Sequence, residues 1–216
     1  MQYDVQNERL ITHVRNRGFL KSKDIENVLR IVKRHEFVPQ EIVEMSYEDM
    51  PLSIGHDQTI SQPSTVVAMT EALDVKPGQK ILEIGTGSGW QAAILSNLVG
   101  STGMVYTIEI LQELAEFAKK NLVKQKLLNV KIVCGDGSVG LEKYAPYDRI
   151  IVTAACPKVP KPLLDQLKVD GIMVIPVGNV YLQKMHVIKK LESGIEEETI
   201  GSFMFVPLKG KLGFQE

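Results

Sequence analysis

The sequence predicts a doubly wound α/β fold: a mostly parallel sheet with an antiparallel edge, plus N-terminal helices. Two observations carry that expectation. Residues 81–89 read Ile-Leu-Glu-Ile-Gly-Thr-Gly-Ser-Gly, a short apolar strand running into a glycine-rich turn, and helical patterning resumes at Gln91. Strand, glycine turn and helix in that order open the first unit of such a sheet. From there to Val177 strand-like and helix-like segments alternate, which calls for parallel strands joined by right-handed crossovers.

The elements follow in chain order. Residues 1–45 pattern as helices: Ser22 is a candidate N-cap, and Ile25, Val28, Leu29 and Val32 recur at helical spacing behind it. Pro39 stops that run, and Glu41 to Met45 has the pattern of one more helical turn. Residues 46–62 show no periodicity and read as a long loop, which in a compact domain is usually functional or disordered. Pro63 suits the first position of a helix that Val66, Val67, Met69 and Leu73 continue. Strands are expected at 104–108, 130–134, 149–152 and 171–177, with helices at 111–124 and 160–167. After Gly178 the pattern is strand-like, near 182–190 and 201–207, and supplies the antiparallel edge. The chain divides as one domain, 1–216, with a helical cap and loop over 1–62 and an α/β core over 63–216.

Composition narrows the function classes. The chain has 216 residues, and 25 basic and 26 acidic side chains leave a net charge of −1, with 44% hydrophobic residues. That balance does not favour bulk nucleic-acid binding, which wants a basic face. The longest basic cluster, Arg30 to His35, reads as the solvated side of a helix. The polar start at Met1 and the absence of a long apolar run predict neither a signal peptide nor a membrane span, and two cysteines, Cys134 and Cys156, make no disulfide framework. A cytoplasmic chain is the expectation. His13, His35, His56 and His186 are scattered without metal-ligand spacing, so no metal is expected.

The glycine spacing selects a ligand. A dinucleotide turn wants G-x-G-x-x-G, and the third glycine would fall at position 90, which is Trp90. The run is instead Glu83-x-Gly85-x-Gly87-x-Gly89 with Thr86 inside the turn. An acid before the turn repels a pyrophosphate and suits an ammonium, so an adenosine carrying a cationic amino acid, S-adenosyl-L-methionine, fits best. Glu109 ends the next strand, where an acid accepts from ribose hydroxyls; the alternative is a solvated acid beside a helix N-terminus. Asp136, between Gly135 and Gly137, suits an adenine amino group or a simple glycine turn. Ser61 is open between a catalytic role and capping of the helix behind Pro63. Cys156 occupies the place of a nucleophilic cysteine, but its Ala-Ala-Cys-Pro setting favours an inert residue.

Seven segments together resemble one family. Gln58-Thr-Ile-Ser-Gln-Pro63, Leu82-Glu-Ile-Gly-Thr-Gly-Ser-Gly-Trp90, Gly135-Asp-Gly137, Pro146-Tyr-Asp148, Asp165-Gln-Leu-Lys168, Pro176-Val-Gly178 and Phe205-Val-Pro-Leu208 are similar, in order, to protein-L-isoaspartate (D-aspartate) O-methyltransferases. The resemblance implies the Rossmann-like class I methyltransferase sheet with reordered last strands. It implies transfer of a methyl group from S-adenosyl-L-methionine, leaving S-adenosyl-L-homocysteine, to the free α-carboxylate of L-isoaspartyl residues in damaged proteins and peptides. The ester then closes to a succinimide, which leads back to aspartyl. By the same resemblance Ser61 is the active-site residue. The donor contacts are Glu83, Gly85, Thr86, Gly87, Gly89, Glu109, Asp136 and Gly137, and Ile60, Val206, Pro207 and Leu208 hold the peptide. The implied partners are isoaspartyl proteins and peptides, with no nucleic acid, membrane or metal. Asp57 stands where the family commonly has glycine, and Lys209 where relatives often have Thr or an apolar residue; both bear on substrate preference. The rival readings are a methyltransferase for RNA or a small molecule, a nicotinamide oxidoreductase, and a non-catalytic donor-binding module.

Overall fold

The computed structural model describes residues 2–215. Two helices, α1 (Gln2–Asn16) and α2 (Lys23–Ile31), come first, and two 3-10 turns, Arg34–Phe37 and Gln40–Met45, follow them. Ser22 caps α2 as its position suggests, its side chain accepting from the Ile25 amide. The basic cluster departs from the sequence expectation. Arg30 and Lys33 do face outward and pair with Glu8 and Asp4, but Arg34 is only 1% exposed. The chain turns into the first 3-10 helix at that residue, so the helical wheel that would place Arg34 outside no longer applies.

The stretch 46–62 is also more ordered than its lack of periodicity suggests. It contains an antiparallel hairpin of β1 (Leu52–Gly55) and β2 (Gln58–Ile60), with Leu52 opposite Ile60. His56 and Asp57 form its turn, both in the left-handed region at φ +54° and +57°, the two-residue geometry that suits the right-handed twist of the strands. Such turns announce themselves through Asn-Gly or Asp-Gly, and His-Asp carries no such signal.

Next come α3 (Pro63–Leu73), β3 (Lys80–Ile84), α4 (Trp90–Val99), β4 (Met104–Glu109), α5 (Gln112–Lys124) and β5 (Val130–Cys134). The chain ends with β6 (Tyr147–Val152), α6 (Lys161–Gln166), β7 (Leu167–Gly178), β8 (Gln183–Leu191) and β9 (Gly194–Phe203). One sheet runs β5-β4-β3-β6-β7-β8-β9. The first five strands in that order are mutually parallel, and β8 is antiparallel to both its neighbours. This is the expected mostly parallel sheet with an antiparallel edge. The last strand starts earlier and ends earlier than the apolar pattern at 201–207 suggested, because β9 pairs with β8 through a tight turn at Gly194.

Two apolar layers cover the sheet. On one face Ile81, Val105 and Val174 pack with Met69, Leu73, Ile94, Leu95 and Leu114 and with the N-terminal helices. On the other, Leu82, Ile84, Ile108, Val152 and Ile175 meet Leu163 and Leu208. Strand alternation therefore puts Glu83 on the same face as Ile81, under the helices. Because β3 is central and the chain leaves it first to one side and then to the other, the C-terminal ends of β3, β4 and β6 open a crevice, the place where such sheets bind ligands. No helix among the described residues is long and apolar enough to cross a membrane.

Replacing His56-Asp57 by Asn-Gly relieves the left-handed cost at the hairpin tip and is expected to stabilise the chain by about 1 kcal/mol in urea unfolding. A loss of stability instead would mean that these side chains make contacts the hairpin needs.

Candidate active site

The crevice is open, about 910 Å³ with the solvent at its mouth included, and its lining brings together Gln58 to Ser61, the β3 turn, the ends of β4 and β6, Gly137, and Val206 to Lys209. The turn is held from both neighbouring strands. After β6, Thr153 Oγ1 donates to the carbonyls of Ile84 and Gly85, 3.0 and 2.8 Å away. At the end of β4, the Glu109 carboxylate accepts from the Gly87 amide at 2.9 Å and from the Leu111 amide at 3.1 Å. Gly85 sits at φ +92°, and a Cβ there would come within 2.4 Å of Thr153 Oγ1. Only glycine fits this position. A Cβ at Gly137 would approach Ile84 Cγ2 to 2.7 Å, so the opposite wall of the cradle is equally close.

Thr86 and Gly87 line the cavity directly, as do Glu109 and Gly137. Gly89 lies behind the turn at φ +86°, against Ala118 and Leu122 of α5, and serves helix packing. Glu83 is fully buried behind the cavity lining, and neither of its carboxylate oxygens has a hydrogen-bond partner among the described residues. Thr107, opposite it in register, bonds Thr86 Oγ1 at 2.7 Å. Burial pushes the Glu83 pKa up to about 8, with the Thr107 hydroxyl working against the shift and the Glu109 charge adding to it. A buried carboxyl without a partner, beside a backbone cradle and a second carboxylate, matches a ligand that carries both an ammonium and a ribose. The residues present fit S-adenosyl-L-methionine.

Asp136 does not line the cavity. One oxygen caps the 3-10 turn that begins at Gly137, accepting from Ser138 N, and the other accepts from Lys211 N at 2.8 Å. It therefore pins the chain end over the site. Ser61 does line the cavity, and it does not cap α3. The N-cap is Gln62 without a side-chain bond, and the Asp49 carboxylate, from outside the helix, takes the Ser64 amide at 2.8 Å. Beyond β9 the chain returns as an isolated bridge, with Ala155 N donating to Val206 O and Leu208 N to Ala155 O, both at 2.8 Å. Val206, Pro207 and Leu208 thereby line the same cavity as Ile60 and Ser61. Cys156 is fully buried away from it, and burial pushes its thiol to about 12, the opposite of what a nucleophile needs. Thr153, Leu111 and Lys209 also line the cavity, and no motif singled out the first two.

The model of the family described as protein-L-isoaspartate (D-aspartate) O-methyltransferase matches residues 5–213. The chain belongs to this family. A protein-L-isoaspartate O-methyltransferase of Methanosarcina mazei is 49% identical over 92% of this chain and 82% of its own. One from Archaeoglobus fulgidus is 47% identical over 100% of this chain and 98% of its own. A solved protein-L-isoaspartate O-methyltransferase superposes with a TM-score of 0.87 at 31% identity, covering 96% of this chain and 67% of that one. A Plasmodium falciparum relative, solved with S-adenosyl-L-homocysteine, superposes at 0.83 with 25% identity over 94% of this chain and 98% of that one.

Donor binding should be linked to protons through Glu83. Held at about 8 in the ligand-free chain, this carboxyl is protonated at pH 7, and a neighbouring ammonium favours its ionised form. S-adenosyl-L-homocysteine binding at pH 7 is therefore expected to release a proton, with affinity rising up to about pH 8. The ligand-free fold binds more protons than the unfolded chain in this window, so its stability falls as pH rises from about 4.5 to about 8. Titration calorimetry in buffers of different ionisation enthalpy checks the release, and Glu83→Gln should abolish it. No buffer dependence in the parent chain would rule the linkage out.

Proposed function

We propose that this cavity moves a methyl group from S-adenosyl-L-methionine to the free α-carboxylate of L-isoaspartyl residues, the first step in returning them to aspartyl. The observation that carries this reading is that Ser61, the glycine turn and Val206–Leu208 line one cavity. When bound, the donor supplies an electrophilic sulfonium methyl. The chain's own residues do the placing. Thr86, Gly87 and the Gly85 backbone cradle the donor, Glu109 accepts from its ribose, and Glu83 answers its ammonium. Gly137 forms the wall at the adenine end, and Asp136 holds that wall and the chain end in place. An adenine amino group is within the remaining accepting capacity of its carboxylate.

Among the described residues that line the cavity there is no histidine, and the one acid, Glu109, already accepts from two backbone amides, which fits an acceptor that needs no base. A carboxylate is already ionised at neutral pH, so it needs orientation and shelter from water rather than deprotonation. An amine or hydroxyl acceptor would need a base that is not there. In this reading the Ser61 hydroxyl donates to one acceptor oxygen and aims the other. Ile60 on one side and Val206–Leu208 on the other hold the peptide backbone, which lets many sequences enter. The acceptors are isoaspartyl proteins and peptides rather than nucleic acid or membrane. The cytosol is the compartment proposed, in keeping with two free thiols.

Labelled methyl should transfer to an isoaspartyl peptide and not to its aspartyl twin, and the label should be lost in base. Ser61→Ala should lower kcat/KM on that peptide by about 10- to 100-fold, the worth of one hydrogen bond to a charged group. Affinity for S-adenosyl-L-homocysteine should stay within about twofold. Unchanged kcat/KM would remove Ser61 from the mechanism.

A further inference from the structure

Ser61 lies in the link between β2 and α3, so neither a strand ladder nor a helix fixes its backbone. What reaches that link is Arg34. Its guanidinium donates through Nη1 to the carbonyls of Ser46 and Glu48 at 2.7 and 3.2 Å. Through Nη2 it donates to Met50 O at 2.9 Å, Ser61 O at 3.1 Å and Ile60 O at 3.5 Å. The same guanidinium lies 5.4 Å from the ring centroid of Trp90, the residue that follows the donor turn and starts α4. Trp90 is itself tied back by Nε1 to the Val32 carbonyl at 3.2 Å. One side chain thus touches the link that carries Ser61, the stretch that precedes the hairpin, and the residue that ends the donor turn.

We propose that Arg34 is a positioning residue for methyl transfer: it sets the Ile60–Ser61 backbone against the glycine turn so that acceptor and donor are held at a fixed separation. This rests on the reading of Ser61 given above. The geometry explains why arginine stands here. A planar fork serves carbonyls on two sides and stacks on an indole at once, and an ammonium does neither well. Its five hydrogen bonds among the described residues go to backbone carbonyls, so it holds chain segments directly, while the Asp49 carboxylate acts on its charge without a hydrogen bond. Misplacement of reacting groups by about 1 Å can cost about 100-fold in rate, which is the sensitivity the arrangement guards against. A plain structural arginine would instead matter equally to every property of the folded chain.

Arg34→Lys separates the two. A second variant, Arg34→Met, keeps much of the volume while removing every guanidinium hydrogen bond, and gives a second reading where the lysine form folds poorly. Each is assayed well below its own melting temperature. The expected result is a fall in kcat of about 30-fold or more, with the Kd for S-adenosyl-L-homocysteine within about threefold of the parent. Combined with Ser61→Ala, the Arg34 substitution should cost clearly less than the product of the two single losses, because both act on the same acceptor link. Donor affinity lost in step with kcat would overturn the proposal, and so would losses that multiply in the double variant. Ser61→Ala at the parent rate would sink the Ser61 reading alone. Arg34 would then be decided by the split between kcat and donor affinity.

Discussion

The backbone at the end of β3 has no room to spare, and the site follows from that constraint. Thr153 on one side and Glu109 on the other hydrogen-bond the turn directly, so the strands flanking β3 act as the two jaws of a clamp. Both clamping residues stand at strand ends, where the sheet hydrogen bonds run out and side chains take over the carbonyls and amides. A Cβ at Gly85 collides with one jaw, which makes the glycine a packing requirement as well as a conformational one. Glu109 is doubly used: ordered by the Gly87 amide before any ligand arrives, it presents its accepting edges in a set direction.

The half of the cavity proposed for the acceptor is assembled on a different principle. None of its parts belongs to the central sheet unit. Ile60 and Ser61 are held by Arg34, and the start of α3 just beyond them by Asp49, which caps it in place of a local residue. Val206–Leu208 are held by Ala155 and by the chain end that Asp136 and Ser138 secure. The donor cradle is therefore continuous with the core, while the acceptor walls are docked onto it by long-range hydrogen bonds. Such docked segments sit at the less stable end of a fold's local free energies, which is where a surface that must admit varied peptides belongs.

This division also explains what could be read from the sequence. The donor side was legible because its signal is contiguous: strand, acid, three spaced glycines and helix lie within ten residues, and each has a local physical reason. That the strands run parallel followed from their alternation with helices. The hairpin at 52–60 was not legible, since its strands are too short for periodicity and its turn lacks glycine. Arg34 was misread because the cluster around it has helical spacing, and only the break into a 3-10 turn carries it inside. Thr153 gave no signal, as a threonine after a strand is commonplace until one sees the Gly85 carbonyl beside it. Ser61 and Val206–Leu208 were legible through likeness to relatives and not through spacing, because what brings them together is tertiary.

Burying an arginine among carbonyls is a poor way to gain stability. Desolvation pulls its pKa to about 10, Nε has no partner, and an apolar side chain would avoid both costs. What an apolar side chain cannot do is satisfy buried carbonyls that point at one another from separate segments. Without a donor they would splay apart or draw in water. The fold thus accepts a desolvated cation in exchange for convergence of chain segments on one point. A reaction whose acceptor is already ionised needs no proton moved in the cavity. Its rate depends on distance and angle, and rigidity of the acceptor link is then worth more than the stability forgone. The same reasoning applies to Glu83 on the reading proposed above: its burial costs the ligand-free chain stability, and a cationic ligand would give it a charge partner. Both groups place the cost in the empty fold and the benefit in the loaded site.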